Sequence, residues 1–340
     1  METIDIAEAV AKYKANTDEV GRRRRDAEEV IGRYGEVFSP EKLEQLTAED
    51  FRAFLLIENN KHWNYISRHV GFLTADMPKL GQSLRVLVDE DRDLVERLNL
   101  VVPNGAGLHV RGLGRAICTP ILLVVYPDSY GVYNQTTELG MKACGLHPHL
   151  TNESFGERYK QINARLTETA REYGLTLFEL DHIWWGILQG AERPNGDGED
   201  EEPVGEGLLF PAEAALEQFM IRNWQHLSLA DEYDLYTEDG DLGVQFNTGV
   251  GRIDILARHK QTGHWLVIEL KKGRHSDQVV GQLLRYMGWI RCNKAEAGEE
   301  VRGLVIVAEA DASLRYAVVP VPQVEVMLYK VNFSLHPAAG

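Results

Sequence analysis

Three cysteines in 340 residues, Cys118, Cys144 and Cys292, form no C-x-x-C pair, so neither a disulfide framework nor a cysteine zinc site is indicated. No apolar run approaches the roughly 18 residues of a membrane span, and the opening METIDIAEAVAKYK lacks the apolar core of a signal peptide. The expectation is a cytoplasmic protein with no membrane partner. Basic residues are outnumbered: 36 Lys and Arg against 52 Asp and Glu give a net charge of −16, which argues against indiscriminate coating of nucleic acid. The Walker loop, G-x-G-x-x-G, G-x-S-x-G and H-E-x-x-H are missing too, and His259, His264 and His275 form no i, i+4 pair. A phosphate cradle, a nucleophile elbow and a histidine metal site therefore find no support. There is no internal repeat.

What is present divides in two. With 44% hydrophobic and 26% charged residues, the chain is long enough for two cores of ordinary size. In EKLEQLTAEDFRAFLLIENN, SLRVLVDEDRDLVERLNLV and SFGERYKQINARLTETAREYGLTLFELDHIWWGIL, apolar positions recur every three or four residues, which predicts a mainly helical region over 1–190. The run ILLVVY reads equally as buried helix or buried strand, and Trp184-Trp185 reads as core packing. Residues 191–207, AERPNGDGEDEEPVGEG, hold seven acids against one arginine and almost nothing to bury; this is an acidic flexible linker. GRRRRDAEEV at residues 21–30 reads as the exposed side of a charged helix.

Residues 208–340 have α/β grammar. PAEAALEQFMIRNWQHL predicts a helix with Ala215, Phe219, Trp224 and Leu227 near one face. GRIDILAR and HWLVIELK, joined by HKQTG, predict a hairpin; DQVVGQLLRYMGWIRC predicts a second helix, VRGLVIVAEA a buried strand, and VEVMLYKVNFSL one bent strand or two short ones. A mixed sheet flanked by helices follows.

In that hairpin, charges interrupt strands that are otherwise apolar. Alternation puts Glu269 and Lys271 on one face of their strand, and Asp254 on the neighbouring strand can meet them across the pair. WLVIEL is apolar on both faces, as suits a central strand, so a stray internal Glu there would be costly. Two carboxylates and a lysine at one place are what a hard divalent cation in hydrolysis needs: oxygen donors for Mg²⁺, and an ammonium that orients the water or steadies the phosphate. Between residues 251 and 291, eight basic residues face three acids, a local footprint for phosphate within an acidic chain.

GRIDILA, VIELKKGR, VVGQLLRYMGWI and VRGLVIVAEADASLRYAV, over roughly residues 210–335, resemble the C-terminal nuclease domain of the NucS (EndoMS) endonucleases, part of the PD-(D/E)xK restriction-endonuclease-like superfamily. The resemblance implies a DNA endonuclease using Mg²⁺, with Mn²⁺ able to substitute. It implies Asp254, Glu269, Lys271 and Gln282 as catalytic residues, and Asp254, Glu269 and Glu217 as metal ligands with Glu213 in reserve. Arg252, Lys272, Arg274, Arg285 and Tyr286 are the expected contacts to nucleic acid; positions 282, 285 and 286 share one helix face. The likeness stops at the linker: residues 1–190 are an unrelated helical recognition or regulatory domain. A homodimer is expected, since two copies of one site most simply cut both strands. Two rival expectations stand beside this one: a nucleic-acid-binding module with weak turnover, and an interaction subunit of a repair or defence assembly whose helical half binds a protein partner.

Overall fold

The structure, a computed structural model, describes residues 3–63, 73–103, 106–150, 153–190, 213–271, 274–275 and 278–330. It falls into two compact units, Met1–Glu192 with Thr237–Leu242, and Arg193–Tyr236 with Gly243–Gly340. The expected linker at 191–207 lies outside the described residues. No helix among the described residues is long and apolar enough to cross a membrane.

The first unit is helical: α1 (Ile6–Ala15), α2 (Thr17–Val37), α3 (Ala48–Leu55), α4 (Ile57–Asn60), α5 (Met77–Leu87), α6 (Leu94–Val101), α7 (Arg115–Val125), α8 (Gln135–Ala143), α9 (Phe155–Tyr173) and α10 (Leu177–Gly190). Sequence signals set several boundaries. Thr47 with Asp50 and Ser154 with Glu157 form capping boxes at the starts of α3 and α9, and Gly174 ends α9 in the left-handed conformation. The ILLVVY run resolves as helix: in α7 every residue from Ile117 to Val124 is buried. An apolar stretch is ambiguous between strand and helix because burial on all sides erases the periodicity that separates them. The tryptophan pair divides, Trp184 going into the core while Trp185 is 43% exposed and stacks on His182.

The second unit contributes α11 (Glu213–Arg222) and α12 (Leu229–Glu232), then β1 (Tyr233–Leu235). A two-stranded hairpin, β2 (Thr237–Glu238) and β3 (Asp241–Leu242), interrupts it and groups with the helical unit. The chain continues through β4 (Val244–Asn247), β5 (Arg252–His259), β6 (Trp265–Leu270), β7 (Arg274–His275), α13 (Gln278–Asn293), β8 (Val301–Val307), β9 (Glu309–Ala310), α14 (Ala312–Val318) and β10 (Val324–Leu328). The main sheet is mixed, in the order β1-β5-β6-β8-β10 with β4 also on β5. β4, β1 and β6 run antiparallel to β5, whereas β6, β8 and β10 are parallel, so α13 and α14 are the crossovers that parallel pairs require. The core joins Ile253, Leu256 and Val267 of the sheet to Val280, Leu283 and Ile290 of α13. At Gly303 on β8 an added Cβ would stand 2.7 Å from Leu283 Cδ2 and 2.6 Å from Met287 Sδ; the close approach of α13 to the sheet depends on that glycine.

α11 buries a different face from the one expected. Phe219 is 48% exposed, and Leu216, Glu217, Met220 and Ile221 are the buried residues. The true inward stripe carries a charge, which hides it from a count of apolar positions.

Candidate active site

β5 and β6 place the acids. Their register, Ile255 opposite Ile268, carries Asp254 opposite Glu269, and Asp254 Oδ2 accepts a hydrogen bond from the Leu270 backbone N–H at 2.8 Å. All six residues of β6 are buried, with Glu269 only 1% exposed. Lys271 lies just past the end of β6, its backbone N–H donating to Ile306 O on β8 at 3.0 Å. Its Nζ stands 3.0 Å from Glu269 Oε1 and 3.7 Å from Glu213 Oε2 of α11. The expected meeting of Asp254, Glu269 and Lys271 is thus what the backbone produces.

α11 brings Glu217 to the same place. The side-chain amide of Gln245, on β4, donates to Glu217 Oε2 at 2.5 Å and to Asp254 Oδ1 at 2.7 Å. Flanked by the pairs Val244–Ile255 and Phe246–Ile253, Gln245 faces Asp254 across the ladder. Its φ is +49°, a left-handed conformation costing a non-glycine residue roughly 1–2 kcal/mol. Sequence reasoning missed Gln245, because VQFN is a short strand whose neutral amide breaks no pattern.

Burial raises the Asp254 carboxyl, although the Leu270 N–H, Lys271 and Gln245 oppose it. Burial, with the Asp254 charge behind it, pushes Glu269 well above the ordinary carboxylate range against the pull of Lys271. For Lys271, burial works downward, but Glu269, Glu213 and Asp254 outweigh it and hold the ammonium above its usual value. Glu269 Oε2 is buried without a hydrogen-bond partner.

Nitrogen donors bridge the acids in pairs, and among the described residues no three His, Cys, Asp or Glu side chains stand close enough together to hold a metal ion as placed. The donor chemistry nonetheless fits a hard divalent cation: it is all oxygen, it includes the orphaned Glu269 Oε2, and its carboxyls are raised by burial that one lysine only partly offsets.

Of the residues expected to touch nucleic acid, Arg285 and Tyr286 lie on one another beside Gln282. Gln282 Nε2 donates to the Tyr286 hydroxyl at 3.3 Å, and that ring packs against Gly251 at the entry to β5, where a Cβ would stand 2.4 Å from the hydroxyl. Tyr286 is 0% exposed, so as placed it offers no ring face to a base; a helix-face count cannot tell which neighbour of Gln282 turns inward. Arg285 lies over the Tyr286 ring at 5.4 Å, Arg252 is half-buried at the start of β5, and the Arg274 backbone pairs with Glu309. Lys272 lies outside the described residues. Part of the local positive charge is structural: Arg258 pairs with Glu299, Arg291 donates to Glu299 O, and Lys260 donates to Ala230 O.

Residues 216–315 match the family described as the endonuclease NucS C-terminal domain. The second unit carries a NucS-like domain. Among solved structures, a repair endonuclease from Pyrococcus abyssi is 18% identical, covering 38% of this chain and 50% of its own, with a TM-score of 0.29. A complex of EndoMS with dsDNA is 19% identical over 40% and 51%, at 0.30, and the 8-oxoguanine DNA glycosylase of Thermotoga maritima is 17% identical over 54% and 98%, at 0.34. The chain spans about half the length of the two endonucleases it matches. No curated protein matches it. The NucS-like domain takes in Glu217, Gln245, Asp254, Glu269, Lys271 and Gln282 together.

Proposed function

We propose that the chain is a Mg²⁺-dependent DNA endonuclease of repair or of defence against foreign DNA, with the helical unit as its recognition or regulatory part. One observation carries the reading: Asp254, Glu269 and Lys271 converge at adjoining positions of β5 and β6 inside a NucS-like domain. Asp254, Glu269 and Glu217 would hold Mg²⁺, or Mn²⁺ in its place. Such an ion, when bound, supplies Lewis acidity toward phosphate oxygen and toward the attacking water.

The chain's own groups do the rest. The Lys271 ammonium, held charged by its acidic neighbours, offers N–H donors to a phosphate oxygen and stabilises negative charge developing there. Gln282, which donates to the Tyr286 hydroxyl, would orient phosphate or water from α13. Arg252, Lys272, Arg274 and Arg285 would neutralise backbone phosphates, and we expect a homodimer in which two sites serve two strands.

A second reading is favoured by one feature, that among the described residues no three possible ligands stand close enough to hold an ion as placed: a DNA-binding module with weak turnover. Cleavage of labelled single-stranded, duplex, mismatched, forked and modified DNA in Mg²⁺, Mn²⁺ and EDTA separates the two. Metal-dependent cutting of at least one substrate is expected; binding without cutting in either metal would select the second reading.

A further inference from the structure

We propose that Gln245 is the positioning residue of this site, its amide spanning Glu217 and Asp254 so that the two acids, from α11 and β5, are set for one divalent cation. The proposal rests on the metal-dependent reading above and adds to it a residue that contributes no metal ligand of its own.

A side-chain amide nitrogen has two hydrogens and no charge. At Gln245 that nitrogen reaches Glu217 Oε2 at 2.5 Å and Asp254 Oδ1 at 2.7 Å. A lysine there could make the same span, but its charge would satisfy the acids and compete with a cation. The neutral amide orients them and leaves the charge balance open. Glu213, Glu217, Asp254 and Glu269 against the one cation Lys271 leave the cluster an excess of acids, which a bound cation would offset. The backbone supports the assignment: among the described residues only Lys61, Asp239 and Gln245 combine a side chain with positive φ, and of these Gln245 alone is a strand residue. Its neighbours Val244 and Phe246 pair in register with β5, so the departure is confined to the residue whose amide bridges the acids. The other device in the site works differently. Lys271 spans Glu269 and Glu213 with a charge, whereas Gln245 spans Glu217 and Asp254 with none.

The test is Mn²⁺ binding to the full chain, read by electron paramagnetic resonance of free Mn²⁺, for wild type, Gln245→Met and Gln245→Gly. The first variant keeps the volume and removes the donors; the second also removes the backbone strain, so that at least one variant folds. Metal-free circular dichroism and melting establish that each protein is folded. Partners that orient metal ligands typically contribute 10–100-fold in affinity, so each folded variant should bind Mn²⁺ at least about tenfold more weakly. A folded variant binding within about twofold of wild type would overturn the proposal while leaving the metal reading intact. Failure of wild type itself to bind Mn²⁺ would remove the metal reading, and the proposal with it.

Discussion

Lys271 stands within ion-pair distance of Glu269, at 3.0 Å, and Glu269 lies in a strand buried along its whole length. Removing one partner of such a pair leaves a buried charge uncompensated, which costs about 3–5 kcal/mol. Lys271→Met should therefore lower metal-free stability by about that amount, and Mg²⁺ should restore part of it by supplying positive charge to the same acids. Urea unfolding in EDTA and in excess Mg²⁺ measures both. Equal destabilisation in the two conditions would mean that the ion does not reach these carboxylates. At this scale the sequence was informative wherever a charge interrupted an apolar strand: Asp254, Glu269 and Lys271 stand out because burial makes them costly. Gln245 did not, since a neutral amide in a four-residue strand carries no such signal, and its role rests on a backbone angle that sequence patterns do not show. The burial of Tyr286 was not legible, because helical spacing shows which residues share a face, and not how deep each one lies.

Elements were legible in proportion to their periodicity. The β5–β6 hairpin, α13 and β8 announce themselves by alternation or by helical spacing, and a left-handed Gly263 lies in the turn that joins β5 to β6. The β2–β3 hairpin was hidden: TEDGDL has the Asp-Gly turn signal, with Asp239 and Gly240 both at positive φ, but local turn chemistry does not say which unit a hairpin joins. In the helical unit its acids surround a buried cation. Arg115 pairs with Asp239 at 3.3 Å, Glu238 at 3.6 Å and Asp241 at 3.7 Å, besides Glu138 of α8 at 2.9 Å. Asp241 also accepts from the Ala116 N–H at the start of α7, where Gly114 provides no side-chain cap. Burial, joined by the charges of Asp239 and Glu238 and opposed by Arg115, lifts Asp241 to about 7. A carboxyl raised from an unfolded value of about 3.9 contributes stability that is complete below that pH and is lost as pH rises through about 7. Asp241→Asn should thus gain on wild type as pH goes from 5 to 8, read as the difference in urea midpoints. A variant that gains nothing on wild type over that range would show that Arg115 keeps Asp241 ionised throughout.

For the whole molecule, a helical unit accompanies a unit with a mixed sheet and a NucS-like domain, in a chain of net charge −16. The homodimer expected of an enzyme that cuts both strands is tested by light scattering at tens of micromolar with and without DNA; monomer alone in both would contradict it. The central claim is that the acids of β5 and β6 serve hydrolysis, and Glu269→Ala tests it most directly in a cleavage assay with Mg²⁺ on whichever DNA the wild type cuts. Loss of a carboxylate that holds the metal should reduce cleavage by several orders of magnitude, since metal catalysis supplies several kcal/mol and each ~1.4 kcal/mol is tenfold, while DNA binding persists. Cleavage by folded Glu269→Ala protein at the wild-type rate would contradict the account.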